Sequence, residues 1–313
     1  VDVDRLRRLA SQIKQKEETD RSLRLASLRQ RRMLPNPPEI PEYDFACLYQ
    51  PATGVSGDFY DFIPVRENLW GIVIGDVSGH GVEAGIIMGM AKQTISIFGR
   101  QIERPLDVLR AANDELCKSL DGKTFVSLSY GVLDTSTRTL RFVRAGHNKP
   151  LLLNARWQNP EPQVIECRGL ALGVQKGDRF VKATEEIELK LEPGDLVFQY
   201  TDGLVEATNK EKEQYGEERL REVLKRYART STSELLEITI ESLNDFTRER
   251  EQEDDITMLA FKVRDPQALT RTVRLDRSTL SLLARKTPPP AAPSAQPPPG
   301  SSGDGDKLPD WLK

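Results

Sequence analysis

The sequence is poor in the residues that build most metal and redox sites. Its 313 residues include three cysteines, Cys47, Cys117 and Cys167, and two histidines, His80 and His147. The cysteines lie far apart with no CxxC pair. That excludes a disulfide framework and a cysteine-rich zinc site, and it suits a reducing cytoplasm. Two histidines are too few for a site built on several imidazoles. Any metal must be held mainly by carboxylates, which favours hard cations such as Mg²⁺ or Mn²⁺. Charge of one sign is also lacking, since 45 Lys and Arg stand against 48 Asp and Glu, a net charge of −3. Without a basic surplus there is no electrostatic motive for nucleic-acid binding. No apolar run approaches the roughly 18 residues of a membrane span. No signal peptide opens the chain. Because the first residue is Val1 and not Met, the expectation is the cytoplasmic part of a longer sensor protein.

What is present falls into four stretches. Residues 1–34 read as a charged helix, with Leu6, Leu9 and Ile13 on one face and Leu23, Leu25, Leu28 and Met33 resuming an apolar face further on. The expected role is a regulatory or linker helix that pairs two copies as a homodimer, although its heptads are too few to establish a coiled coil. Pro35, Pro37, Pro38 and Pro41 then end it, because proline lacks the N–H and clashes with the preceding turn. Residues 35–265 have the density of one folded domain. Strands are expected at 45–50, 70–77, 125–133, 139–143, 149–154, 186–191, 195–201 and 256–263. Helices are expected at 82–98, 105–120, 217–227 and 233–247, the last with Ser233 as N-cap. Strands joined by short turns, with helices grouped in pairs, give the α+β class with antiparallel sheet. Residues 266–285 form an ambiguous extension. Residues 286–313 are a proline-rich tail expected to be disordered, because it cannot bury enough apolar surface to offset its ordering entropy.

Four aspartates stand in glycine-rich or strand-end contexts. Asp58 lies in Ser56-Gly57-Asp58-Phe59-Tyr60-Asp61. Asp76 closes a strand in Gly75-Asp76-Val77-Ser78-Gly79-His80-Gly81. Asp202 closes another in Tyr200-Thr201-Asp202-Gly203, and Asp254 opens the last strand beside Asp255. A carboxylate at the edge of a core needs a partner, because burying an unpaired charge is costly. No basic residue lies within these motifs, and a pair of divalent cations would satisfy all four. The glycines do not form a nucleotide loop, since the Lys-Ser/Thr of a P-loop and the Rossmann spacing are both missing.

Taken in order, these motifs resemble the PPM (type 2C) metal-dependent serine/threonine phosphatases, in the bacterial SpoIIE/RsbU branch. The resemblance covers about residues 40–264 and extends to Ala145-Gly146-His147-Asn148-Lys149-Pro150-Leu151, Gly169-Leu170-Ala171-Leu172-Gly173-Val174, Gly194-Asp195-Leu196 and Asp254-Asp255-Ile256-Thr257. It implies a four-layer α-β-β-α sandwich, two antiparallel sheets flanked by helices, preceded here by the N-terminal helix. It also implies two Mn²⁺ or Mg²⁺ ions bridged by Asp76. Asp58 and the backbone carbonyl of Val77 would complete one site, and Asp202 with Asp254 the other, with Asp61 and Asp255 bracing the ligands from behind. Asp76 and His80 are the catalytic candidates, His80 as general acid, and His147 is expected to order a hairpin. The implied substrate is a phosphoprotein, a STAS-domain anti-sigma-factor antagonist in a partner-switching pathway. Two departures stand out. No arginine in Asp44-Phe45-Ala46-Cys47-Leu48 takes the phosphate-binding place of the eukaryotic enzymes, and Ser56 replaces the first residue of a Gly-Gly-Asp motif. The alternatives are a catalytically silent scaffold of this fold, which the four aspartates argue against, and a nucleotidyl cyclase, for which triphosphate-recognition motifs are missing.

Overall fold

The computed structural model describes residues 3–52, 54–248 and 250–265, with side chains from residue 8 onward. The expected extension at 266–285 and tail at 286–313 lie outside the described residues. In chain order the elements are α1 (Val3–Arg31), β1 (Tyr43–Gln50), β2 (Phe59–Arg66), β3 (Leu69–Val77), α2 (Gly81–Gly99), α3 (Pro105–Leu116), β4 (Val126–Asp134) and β5 (Thr139–Ala145). They continue with β6 (Leu151–Asn154), β7 (Gln163–Val164), α4 (Asp178–Ala183), β8 (Glu186–Lys190), β9 (Asp195–Tyr200), α5 (Asp202–Glu206), α6 (Gly216–Tyr227), α7 (Thr232–Thr247) and β10 (Ile256–Val263). One sheet runs β1-β10-β9-β6-β7 and the other β2-β3-β4-β5-β8, with every pairing antiparallel. The expected α-β-β-α sandwich is therefore the observed fold.

Strand parity assigns each side chain to a layer. On β3, Val73 and Val77 pack toward α2 and α3, with Met88, Ile95 and Leu109. Ile72 and Ile74 face the other sheet and meet Phe261 and Val263 of β10. On β10, Ile256, Met258 and Ala260 pack toward α6 and α7, with Leu224 and Leu236. The middle layer is aromatic, and Phe45 bridges the sheets, stacked on Phe261 at 5.4 Å and edge-on to Phe62 at 5.7 Å. Continuing the same parity to the strand ends puts Asp76, Thr201, Asp255 and Thr257 on the inner face. The middle layer thus changes from phenylalanine and isoleucine to aspartate and threonine at one end of the sandwich.

Several local expectations change. β2 was not expected, and it matters most, because it places Asp58 and Asp61 on opposite faces. Tyr60 and Phe62 face inward while Phe59 and Ile63 face the helices. Asp61 follows Phe59 and Ile63, and its Oδ2 accepts from Lys92 Nζ of α2 at 2.7 Å, with both side chains buried. The expectation that Asp61 braces the metal ligands is thereby corrected to a clamp between β2 and α2. The N-cap of α7 is Ser231, whose Oγ accepts from the Glu234 N–H at 3.2 Å, and not Ser233.

The Asp61–Lys92 pair yields a stability prediction. Lys92→Ala leaves a buried carboxylate without its cation and should cost about 3–5 kcal/mol. Asp61→Leu combined with Lys92→Met removes both charges and should restore most of that loss. Urea unfolding checks both, and a loss below about 1 kcal/mol for Lys92→Ala would contradict the clamp.

Candidate metal centre

The carboxylates converge from both sheets. Asp76 is the penultimate residue of β3 in one sheet and Asp58 precedes β2 beside it. Asp202 opens α5 just after β9 of the other sheet, and Asp254 precedes β10. Two close approaches seat these segments on each other. Gly57 lies so near β3 that a β-carbon there would sit 2.9 Å from the Val77 carbonyl oxygen and 3.1 Å from Asp76 Oδ1. Gly203 lies so near the start of β10 that a β-carbon would overlap the Asp255 carbonyl oxygen. Glycine at these positions lets Asp58 approach Asp76 and Val77, and Asp202 approach Asp254.

The loop carrying Asp58 is gripped from three sides. The Asp255 carboxylate accepts from the Ala52 N–H at 2.8 Å and the Gly57 N–H at 3.0 Å. Asp255 therefore ties the two ends of this loop together. Thr201 Oγ1 donates to Asp58 Oδ2 at 2.8 Å and accepts from the Thr257 N–H at 2.9 Å. Gln30, near the end of α1, donates to the Ser56 carbonyl at 2.7 Å and accepts from the Ser56 N–H at 3.0 Å. Ser56 Oγ in turn accepts from the Asp58 N–H at 3.0 Å.

Electrostatically the cleft is short of positive charge. None of the ion pairs among the described residues ends on Asp58, Asp76, Asp202 or Asp254. Burial, with the Asp76 charge beside it, holds Asp58 well above the usual carboxylate range. Burial and then the charges of Asp202 and Asp254 push Asp76 up to about 8. Burial and Asp254 raise Asp202, and burial with both neighbours raises Glu206. Among the described residues no three His, Cys, Asp or Glu side chains are gathered at ion-binding spacing. The donor chemistry nevertheless fits hard divalent cations: all the donors are oxygens, they repel one another, and no ion pair among the described residues compensates them.

The two histidines differ in setting, His80 exposed and His147 buried. His80 is the exposed residue before α2 and makes no capping hydrogen bond. It lines a cavity of about 430 Å³ together with Gly203, Glu206, Arg250 and Asp254. His147 is buried, with Nδ1 2.9 Å from Ser127 Oγ and its carbonyl accepting from Arg144 at 2.7 Å. Burial, aided by the Arg144 charge, lowers His147 to about 3, so it stays neutral and orders its turn. Sequence reasoning assigned no role to Gln30, Ser56, Thr201 or Glu206. Thr201 lies directly beside Asp202, and a hydroxyl next to a strand-end aspartate was the available signal. Gln30 gave none, because its contact spans 26 positions.

Comparison with known proteins agrees with this geometry. The family model of stage II sporulation protein E (SpoIIE) matches residues 66–264. Protein IcfG of Synechocystis sp. is 29% identical over 250 residues, 71% of this chain and 38% of its own length. Phosphoserine phosphatase RsbU of Bacillus subtilis is 26% identical over 169 residues, 54% of this chain and 48% of its own. The chain thus spans less than half the length of these two curated relatives. Among solved structures, the SiaA-PP2C domain of Pseudomonas aeruginosa superposes with a TM-score of 0.68 at 26% identity, covering 79% of this chain and 98% of that one. The matched family span, the paired antiparallel sheets and the aspartates gathered at one end of them lead to one conclusion: the chain belongs to the SpoIIE family, in the SpoIIE/RsbU branch of the PP2C-type (PPM) phosphatases.

Proposed function

We propose that this chain is a metal-dependent phosphatase that hydrolyses phosphoserine or phosphothreonine in a protein substrate. The observation that carries the reading is the set of four aspartates drawn from both sheets, none of which ends an ion pair among the described residues. Asp76 would be shared between two Mn²⁺ or Mg²⁺ ions, with Asp58 and the Val77 carbonyl on one and Asp202 and Asp254 on the other. Such a pair, when bound, supplies Lewis acidity that neutralises phosphoryl oxygens and acidifies water near neutral pH. The protein's own part is to hold four like charges in register. Thr201 fixes one oxygen of Asp58, Asp255 ties Ala52 to Gly57, and Gly203 keeps Asp202 against the start of β10. His80, exposed beside the cavity, is the candidate to protonate the departing serine or threonine oxygen. No phosphorylated cysteine is needed, and Cys117 and Cys167 are buried.

The substrate class that this branch implies is a STAS-domain anti-sigma-factor antagonist, with the chain acting in the cytoplasm. No described helix is long and apolar enough to cross a membrane. We also propose that α1 is a control element through which two copies pair. Its end touches the Asp58 loop through Gln30, while Leu25, Leu28 and Met33 remain largely exposed. On α2, Val82, Ile86 and Met90 recur at four-residue spacing and are exposed as well. Apolar rows of this kind on neighbouring helices are suited to a second copy.

Three outcomes test these readings. Hydrolysis of p-nitrophenyl phosphate and of a phosphoserine protein should vanish in excess chelator and return with Mn²⁺, and full turnover after chelation and dialysis would sink the metal reading. Asp76→Asn should lose about a hundred- to a thousandfold in turnover while staying folded, as expected when charge stabilisation of the transition state is removed. Leu28→Glu combined with Ile86→Glu should shift the solution mass, by light scattering, from dimer to monomer; an unchanged mass would remove the homodimer.

A further inference from the structure

The four aspartates are not equally well held. Asp58 is bonded to Thr201, Asp76 lies within β3, and Asp202 begins a helix. Asp254 is exposed and sits on the segment between α7 and β10, outside both elements. Five bonds fix that segment. Arg250 Nη2 pairs with Glu253 Oε1 at 2.5 Å, while Arg250 Nη1 donates to the Asn209 carbonyl at 2.8 Å. Gln252 Nε2 donates to the Asp254 carbonyl at 2.7 Å and to the Gln50 carbonyl at 2.8 Å, and Gln252 Oε1 accepts from Gln50 Nε2 at 2.7 Å. Asn209 belongs to the turn that follows α5, whose first residue is Asp202. That turn is tight, since Asn209 and Glu213 share backbone and side-chain bonds of 2.9 to 3.1 Å.

We propose that Arg250 is a positioning residue: its guanidinium latches the segment bearing Asp254 to the turn that follows Asp202, and so sets the spacing of the two carboxylates assigned to one ion. The inference rests on the metal reading of the site. A planar guanidinium can hold a carboxylate and a carbonyl at once in fixed directions, whereas an ammonium is a single point charge on a flexible stem. Gln252 supports the same segment from β1, so the latch has two anchors. Arg250 also lines the cavity beside Asp254. Its charge alone, on the wall of the same cavity, would weaken cation binding, so removing the charge and removing the latch act in opposite directions.

The test is calorimetric titration of the full chain with Mn²⁺ at physiological salt, comparing the unsubstituted protein with Arg250→Ala, Arg250→Lys and Gln252→Ala. Removing groups that orient metal ligands typically lowers affinity about 10–100-fold. The expected result is a loss of that size in Arg250→Ala for one of the two ions only, with the other unchanged. Arg250→Lys should resemble Arg250→Ala, because charge without the fork does not rebuild the latch. Gln252→Ala should weaken the same ion to a smaller extent. A general loss of folding would weaken both ions together and lower the thermal midpoint, which would overturn the proposal. Unchanged or tighter Mn²⁺ binding in Arg250→Ala would overturn it too, as would full rescue by Arg250→Lys. If the unsubstituted chain binds no Mn²⁺ at all, the metal reading falls and takes the latch with it, an outcome distinct from normal binding in the unsubstituted chain and unaltered binding in its variants.

Discussion

Repulsion among Asp58, Asp76, Asp202 and Asp254 is the constraint around which the rest of this protein is arranged. Four carboxylates brought to one end of a sandwich would open it unless each were fixed by its own element. The fold answers with four different anchors. Asp76 is part of a central strand paired on both sides. Asp58 is bonded to a buried threonine, Asp202 sits beside a glycine that lets two segments touch, and Asp254 lies on a segment bound by side chains on both flanks. The raised positions of Asp58, Asp76 and Asp202 record the same stress, since burial and like charge act together there. A divalent cation would remove that stress, which is the physical support for the proposed metal reading of the cleft.

The anchors also explain why the middle layer is built as it is. Phe45, Phe62 and Phe261 lock the sheets together in the interior, so that the sheet ends are held at a fixed separation where the aspartates emerge. Asp61 and Lys92 do the corresponding work on the outer face of β2, fastening α2 whose N-terminus carries His80. The end of α1 enters the same structure at Gln30, where one side chain bonds both backbone groups of Ser56. A displacement of α1 would therefore be felt two residues from Asp58, which gives the proposed control helix a physical route to the site.

Much of this was legible in the sequence. The α+β class followed from strand and turn patterning, and the four aspartates stood out because two of them close apolar strands and two stand just before one. The rest was hidden for identifiable reasons. Residues 56–61 were read as a motif, so the strand beginning at Phe59 was missed, and with it the alternation that sends Asp61 to the helices. Ser231 and Ser233 both offer a hydroxyl at the start of α7, and only the backbone turn decides between them. Thr201 and Gln30 act through bonds to residues 143 and 26 positions away, a separation that local patterning does not register.

The most direct test of the account is anomalous diffraction at the manganese edge from crystals of the full chain grown with Mn²⁺. The account predicts two peaks in the cleft, both in contact with Asp76, one also touching Asp58 and the Val77 carbonyl and the other Asp202 and Asp254. No peak in the cleft, or peaks that leave Asp76 without a metal, would contradict it.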